Sequence, residues 1–480
     1  MLNHRGIENT EKKFGQRLFG RTLFNRRRLL LLLCALLLTF CVRGLTFQFM
    51  RAHLHDPGWF QTGTYSKFDR HARDILDGKQ RLFWIDDPTR TDLAQYPPGF
   101  PATVALIYKF SSQRSAYVVQ NMQWIVDTIV SFLLIVGITW TAFGWRAAAG
   151  SSFLVALSPL LAMYGAYPSA DAPATWFVLG GCWSLVLAAQ RASVWFALGA
   201  GVLLGIACWF RVNPLYLFVG WAFVLLLFTK TTWRRRALVS AAVTLGTVLV
   251  IAPLVIRNYL VFPDFTPTGG TIGTNLWEGI GETELGRQHG FYFTDEKLLE
   301  YERKKLGLPA DFPLDMSWPD GIRRDKERTR ESLAFIAEHP GLQVRTMFGR
   351  MWGMLKVAGD PVPYSASAGI NVTSKKCLSP ERQGGVLAFA VNVLGMIQSV
   401  VRYLLLPLAA FGIFMALRTD WRLSCVLLVT ILYYLVPGAV GHTEIRYVLP
   451  MHGLLIVFAG CAHGLTSSDV LISERGRLAR

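Results

Sequence analysis

Charge is what this chain has least of. Only 17% of its 480 residues are Asp, Glu, Lys or Arg, against about 25% in soluble globular proteins. Acid is scarcer than base: 32 Asp and Glu stand against 49 Lys and Arg, a formal net charge of +17. With 52% apolar residues and a mean hydropathy of +0.33, the chain carries too much apolar surface for intrinsic disorder or for an ordinary soluble enzyme. Cysteine is sparse as well. The seven are Cys34, Cys41, Cys182, Cys208, Cys377, Cys425 and Cys461; no two have CxxC spacing, and all but Cys377 lie in apolar stretches. That pattern argues against a disulfide framework and against a Cys-ligated zinc. The chain has no internal repeat, so an inverted-repeat transporter gains no support. It has no basic cluster on a soluble face, so no nucleic-acid partner is expected.

Apolar sequence is what it has in abundance, in blocks of about 20 residues, the length that crosses a bilayer's hydrocarbon core. The blocks are 29–47, 116–143, 147–167, 172–190, 193–210, 214–228, 237–256, 396–417, 423–440 and 447–465. The first follows Arg26-Arg27-Arg28 and has no clear small-residue cleavage site after it, so it reads as a retained signal anchor. The first 28 residues hold eight Lys and Arg and two Glu, which puts the N-terminus in the cytoplasm. Threading alternately from there makes 48–100 an outer segment, with seven bases and seven acids, and 257–395 another, with seventeen of each. The acid-free loop at Lys230 and Arg234–Arg236 falls inside, as does the basic tail. The excess positive charge thus lies on inner segments, where anionic lipid headgroups are its partners.

The expected fold is an all-α, multi-pass protein of the cytoplasmic membrane, with about ten membrane helices (roughly nine to thirteen) and both termini inside. Its parts are a basic tail 1–28, a bundle 29–256 with a first outer loop 48–115, a large outer region 257–395, C-terminal membrane helices 396–465 and a tail 466–480. Two outer stretches read as helices lying on the membrane. One is 65–76, with Phe68, Ala72 and Ile75 at helical spacing; the other is 323–355, broken at Pro340-Gly341.

Ionisable residues at the edge of hydrocarbon are costly and mark functional sites. Here they collect at the outer ends of the blocks: Asp56, Asp171, Arg211, Arg257 and Glu444-Ile-Arg446-Tyr447. Acids activate a hydroxyl, and guanidinium groups hold phosphate by charge-assisted, often bidentate hydrogen bonds. Plainer roles exist for each. Asp56 and Asp171 suit helix N-caps. Arg446 suits a pair with Glu444, and Arg211 and Arg257 suit snorkelling to headgroups. Asp86-Asp87 fits a solvated turn better than a metal pair, and no metal or cofactor is expected. Asp127, inside an apolar block, suits a helix–helix hydrogen bond. His442 reads as a loop residue, and Asn371-Val-Thr373 has the form of a glycosylation sequon.

Several segments together resemble the multi-spanning GT-C glycosyltransferases, a superfamily that includes protein O-mannosyltransferases and the lipid A aminoarabinose transferase. They are Asp56-Pro-Gly-Trp59 leading to Phe68-Asp-Arg-His-Ala72-Arg-Asp-Ile-Leu-Asp-Gly78, then Tyr96-Pro-Pro-Gly-Phe-Pro101, then Ser158-Pro159 through to Asp171. After them come Arg257-Asn258-Tyr259 with Gly273-Thr-Asn-Leu-Trp-Glu-Gly279, and Arg446-Tyr-Val-Leu-Pro450. The resemblance implies a GT-C-like helical bundle and a polyprenyl-phosphate sugar donor. It also implies a lipid, glycan or protein acceptor on the outer face. It makes Asp56 the general base, with Asp171 a second catalytic acid, and gives Arg446, Arg257, Arg211, Tyr96 and Tyr447 to the donor phosphate. Two departures qualify these roles. Twelve residues separate Asp56 from Phe68, which makes Asp69 a rival base, and Tyr96 stands where relatives often carry Lys. An O-antigen ligase or polymerase and a flippase or transporter for lipid-linked glycan are the alternative functions.

Overall fold

The computed structural model describes residues 26–52, 54, 62–81, 91–111, 113–267, 269, 271–356, 381, 384–442 and 444–464, and among these it has helices and turns but no strand. Asp56, Asp86-Asp87, Cys377, the 371–373 sequon and the terminal tails lie outside the described residues.

Each apolar block is helical, although 147–167 is divided into two helices and 396–417 and 423–440 share one kinked element. α1 (Arg26–Ala52) starts at the arginine triplet. α2 (Thr62–Leu76) buries Phe68 and Ala72 against Phe100, Val104 and Tyr108 of α3 (Gly99–Phe110), which begins directly after the two prolines. α4 (Ala116–Phe143) returns through the bundle and ends at Gly144, whose φ of 89° lets the chain reverse into α5 (Trp145–Leu157). α6 (Pro159–Ala166) follows after a 57° bend. The bend has a local cause: Pro159 cannot continue the ladder of α5 but suits a first turn, and the Ser158 hydroxyl accepts the Leu161 N–H. Then come α7 (Asp171–Arg191), α8 (Val194–Phe210), α9 (Leu217–Phe228) and α10 (Trp233–Val261).

The region after α10 is helical too: α11 (Ile272–Gly281), α12 (Asp295–Lys305), α13 (Gly321–Glu338) and α14 (Pro340–Lys356), the last two separated at the expected proline. α15 (Gly385–Leu435) is two helices joined at Asp420, whose φ of −145° and ψ of 88° are not helical, and α16 (Leu449–Gly464) closes the bundle. Among the described residues six helices are long and apolar enough to cross a membrane, or seven with α5 and α6 taken as one bent span; α8 and α9 are apolar but shorter.

α16 is the central helix. Every residue from Leu449 to Cys461 is buried, which accounts for an apolar sequence on all its faces. Outer helices instead leave large apolar side chains exposed, among them Leu37, Leu133, Leu249 and Phe389, as a lipid-facing surface requires. Close helix contacts depend on glycine. A Cβ on Gly201 of α8 would stand 2.1 Å from the Val243 carbonyl of α10, and one on Gly246 would stand 2.4 Å from the Leu198 carbonyl. One ion pair lies deep in the bundle. Arg43 of α1 donates to Asp127 of α4, whose other oxygen accepts the Trp176 indole N–H of α7 at 2.5 Å. Asp127 is therefore a helix–helix tie, and its partner is a residue the sequence did not single out.

Candidate functional site at one end of the bundle

The starts of α4, α7 and α16 and the ends of α1, α8 and α10 meet at one end of the bundle. Arg51 reaches Asn121 there, Gln120 donates to the Ala166 carbonyl, and Arg211 pairs with Asp171. The two long polar regions pack on each other above that end. Thr91 Oγ1 donates to the Ser317 carbonyl at 2.8 Å, Gln95 to the Met316 carbonyl at 2.9 Å, and Ser317 to Asp92 at 2.6 Å. Asp325 of α13 accepts the Gly273 and Thr274 N–H groups at the start of α11. Glu302 of α12 takes a bidentate pair from Arg328 at 2.6 and 2.7 Å. These ties hold α11 and the start of α12 over the bundle.

A cavity of about 540 Å³ lies between them. Its bundle side is formed by Arg211 at the end of α8 and by Glu444, Arg446 and Tyr447 just before α16; its roof carries Glu278 and Asp295, and its far side Lys67 and Tyr96. Three cations thus face one space. The guanidinium carbons of Arg211 and Arg446 sit 5.5 and 5.3 Å from the centre of the Tyr447 ring. A carboxylate orients each. Arg211 Nε and Nη2 donate to the two oxygens of Asp171 at 2.8 and 2.9 Å, and Arg446 Nη2 donates to Glu444. Arg446 Nε is buried and has no acceptor among the described residues. Lys67 Nζ donates to the Tyr96 hydroxyl at 3.3 Å and lies 5.0 Å from the centre of its ring. Burial alone would lower the Lys67 pKa, but the Tyr96 phenol and the Asp315 carboxylate outweigh it and leave it raised, so the ammonium stays charged.

Glu278 behaves in the opposite way. It is 7% exposed. Burial, then a hydrogen bond with Asp295 and that neighbour's charge, push its pKa up to about 10, so at neutral pH it holds a proton. His442, also on the cavity wall, is hydrogen-bonded to Glu282 at 2.6 Å, and Glu282 also accepts from Arg350 at 3.0 Å. Among the described residues no group of three or more His, Cys, Asp or Glu is arranged to hold a metal ion.

The structure therefore brings Arg211, Arg446, Tyr96 and Tyr447 together at one cavity. Asp171 stands behind Arg211 as its carboxylate partner; the N-cap of α7 is Ala170, so Asp171 is not the cap. Arg257 does not line the cavity. It is 1% exposed and bonded to the neighbouring Asn258 amide oxygen at 3.0 and 2.7 Å. Asp69 is engaged elsewhere, accepting from Arg73 at 2.9 Å and from the Tyr108 hydroxyl. Sequence reasoning missed Lys67, Asp295 and the cavity position of His442. Lys67 directly precedes Phe68 of the family-like first-loop helix, and Glu278 lies inside the Gly273–Gly279 motif, so the motifs pointed to their neighbourhood without picking them out.

Residues 95–256 match the family described as dolichyl-phosphate-mannose-protein mannosyltransferase. No curated protein matches the chain. Among solved structures, the apo oligosaccharyltransferase of Archaeoglobus fulgidus is similar over 95% of this chain and 52% of its own, at 13% identity and a TM-score of 0.50. The oligosaccharyltransferase AglB of that organism, in complex with an inhibitory peptide and a dolichol-phosphate, gives 14% identity, 96% and 52% coverage and a TM-score of 0.49. ArnT from Cupriavidus metallidurans bound to undecaprenyl phosphate gives 14% identity, 83% and 72% coverage and a TM-score of 0.32. The chain spans about half the length of the archaeal enzymes. The expected GT-C-like helical bundle is borne out as the fold of this multi-pass membrane protein.

Proposed function

We propose that this chain is a membrane glycosyltransferase that passes a sugar from a polyprenyl-phosphate-linked donor to an acceptor hydroxyl on the outer side of the cytoplasmic membrane. The observation that carries the reading is the arrangement around Tyr447. Two guanidinium groups, each oriented by its own carboxylate, meet at the membrane end of a cavity, and one has a buried N–H with no acceptor among the described residues. That is the donor set an anionic lipid phosphate needs. The match of residues 95–256 to a dolichyl-phosphate-mannose transferase family supports the same donor class.

In the proposed reaction the acceptor oxygen attacks the anomeric carbon, and the bond from that carbon to the phosphate oxygen breaks. Its electron pair leaves with the lipid phosphate, where Arg446 and Arg211 stabilise the growing charge. Lys67 supplies, across space, a cation where Tyr96 leaves the chain position without one. Glu278, by keeping its proton, adds no negative charge opposite the phosphate. The acceptor's proton passes to Asp56, on the family resemblance; Asp56 belongs to the segment joining α1 to α2, the helix that carries Lys67. Arg43 and Asp127 are polar groups at membrane depth, as a flippase would need. They pair with each other, however, and do not line this cavity.

The test is incubation of the purified protein with a panel of radiolabelled polyprenyl-phosphate sugars. Release or transfer of label from at least one donor is expected. Asp56→Asn should lower it by about 10²-fold or more, the scale of general-base removal. Normal turnover in Asp56→Asn with a dead Asp69→Asn would move the role to Asp69. Retention of all label by every donor would remove the transferase reading.

A further inference from the structure

A second and larger cavity, of about 1000 Å³, opens on the side of the bundle at the end opposite the phosphate-facing one. Its walls are the first turns of α1 from Leu29 to Leu36, the last part of α4 from Phe132 to Thr141, the end of α7 and the start of the second half of α15. Three features of it point to one class of occupant. The walls are apolar, and Leu29 and Leu33 leave 48% and 52% of their surface open at its mouth. Polar groups stand only at the outer rim. There the Gln190 amide and the Trp183 indole donate to Thr141, and two cations line the rim: the Lys230 ammonium and the Arg422 guanidinium, which lies 5.4 Å from the centre of the Trp421 ring. Asp420, 3.7 Å from Lys230, is the one acid on this face of the bundle among the described residues; Arg28, Arg191, Arg234, Arg235 and Arg418 stand at helix ends or breaks on the same face. The third feature is depth. From Thr141 back to Phe132 a helix rises about 13 Å at 1.5 Å per residue. That is close to half of a hydrocarbon core about 30 Å thick.

We propose that this groove is a binding site for an anionic phospholipid of the adjacent leaflet, with an acyl chain along α1 and α4 and its phosphate between Lys230 and Arg422. The depth suits a single-leaflet chain; a polyprenyl chain anchored at the Arg446 cavity would have to enter from the other surface. The rim charge selects the headgroup, because each Lys or Arg near a membrane surface contributes about 1 kcal/mol towards anionic lipid.

Native mass spectrometry of the purified full chain with equimolar phosphatidylglycerol and phosphatidylcholine tests it. The wild-type chain should retain phosphatidylglycerol preferentially. The Lys230→Gln/Arg422→Gln variant changes only side chains at the rim, and should lose that preference by about 10- to 30-fold while still holding phosphatidylcholine. Leu33→Trp, at a half-exposed position in the mouth, should reduce retention of both lipids. Equal retention of the two lipids by the wild type, an unchanged preference in the double variant, or full retention of both lipids in Leu33→Trp would each overturn the proposal. Because none of these residues lines the Arg446 cavity, sugar transfer by the same variants should stay at the wild-type level, which separates this site from the proposed catalytic one.

Discussion

Replacing Glu278 by Gln keeps the shape of the side chain and removes its ability to ionise, so the variant isolates what the buried proton contributes. In the folded protein the Glu278 pKa is raised to about 10 from an ordinary 4.5, with burial the main cause and Asp295 the second. The sign follows from linkage. Below about pH 4.5 both folded and unfolded chains hold the proton, and Glu278 imposes no pH dependence. Between about 5 and 10 the unfolded chain has lost it and the folded chain has not, so unfolding releases a proton and stability falls as pH rises. The full slope is about 1.4 kcal/mol per pH unit for one proton. From pH 6 to pH 9 this amounts to at most about 4 kcal/mol, the same order as a large core substitution. The amide in Glu278→Gln stays neutral in both states, so the variant has no such slope.

The assay is the apparent unfolding temperature of both proteins in detergent at pH 6, 7.5 and 9, followed by tryptophan fluorescence. Groups common to the two proteins cancel in the difference. Glu278→Gln should match or fall below the wild type at pH 6 and gain on it steadily towards pH 9. Parallel curves would refute the reasoning, and would mean that Glu278 is ionised beside Asp295 and that the cavity roof is more negative than argued. Transfer activity supplies a second readout. A Gln amide can still donate to Asp295, so Glu278→Gln should keep more activity at neutral pH than Glu278→Ala.

Other outcomes follow from the same geometry. Asp127→Ala leaves the Arg43 guanidinium, 1% exposed, without its counter-charge. It should cost about 3–5 kcal/mol, and Arg43→Met/Asp127→Leu should recover most of that, as read from unfolding temperatures. Arg446→Lys keeps the charge but loses the second parallel donor, so it should weaken transfer, and Arg446→Ala should weaken it further. If the contact tightens as the phosphate leaves, the loss lies in kcat rather than KM; full activity in Arg446→Ala would reduce Arg446 to a structural role. Reporter fusions after Arg236 should read cytoplasmic and those at Ala310 external, because the loop ending at Arg236 is basic and acid-free while 257–395 is charge-balanced. A cytoplasmic signal at Ala310 would invert the proposed site.

The membrane helices were legible because their cause is local. In hydrocarbon the backbone must satisfy its own hydrogen bonds, so an apolar block of sufficient length has to be a helix. The reversal at Gly144 and the separation of α13 from α14 at Pro340 come from residues that act on their immediate neighbours; the break at Pro159 has a local cause too, but it divides a block, 147–167, that hydropathy gives as one. Half of the site was legible for a related reason. Alternating helices return to the same surface, so Asp171, Arg211, Arg446 and Tyr447, all at block ends of one parity, had to lie at one level of the membrane.

Tertiary packing decided the remainder. Lys67 and Tyr96 are 29 positions apart, Arg43 and Asp127 are 84 apart, and Glu278 of α11 meets Asp295 at the start of α12, with a further short helix, Glu284–Gln288, between the two elements. Arg257 lies in the last turns of α10, yet it bonds the Asn258 amide oxygen and does not line the cavity. Hydropathy specifies how long a helix is and which residues stand at its ends. It does not specify the rotation of that helix about its own axis. That rotation follows from contacts such as Gly201 on Val243 and Gly412 on Phe458, where the absence of a side chain lets one backbone meet another. It determines which of several equally placed cations faces the cavity and which faces the protein.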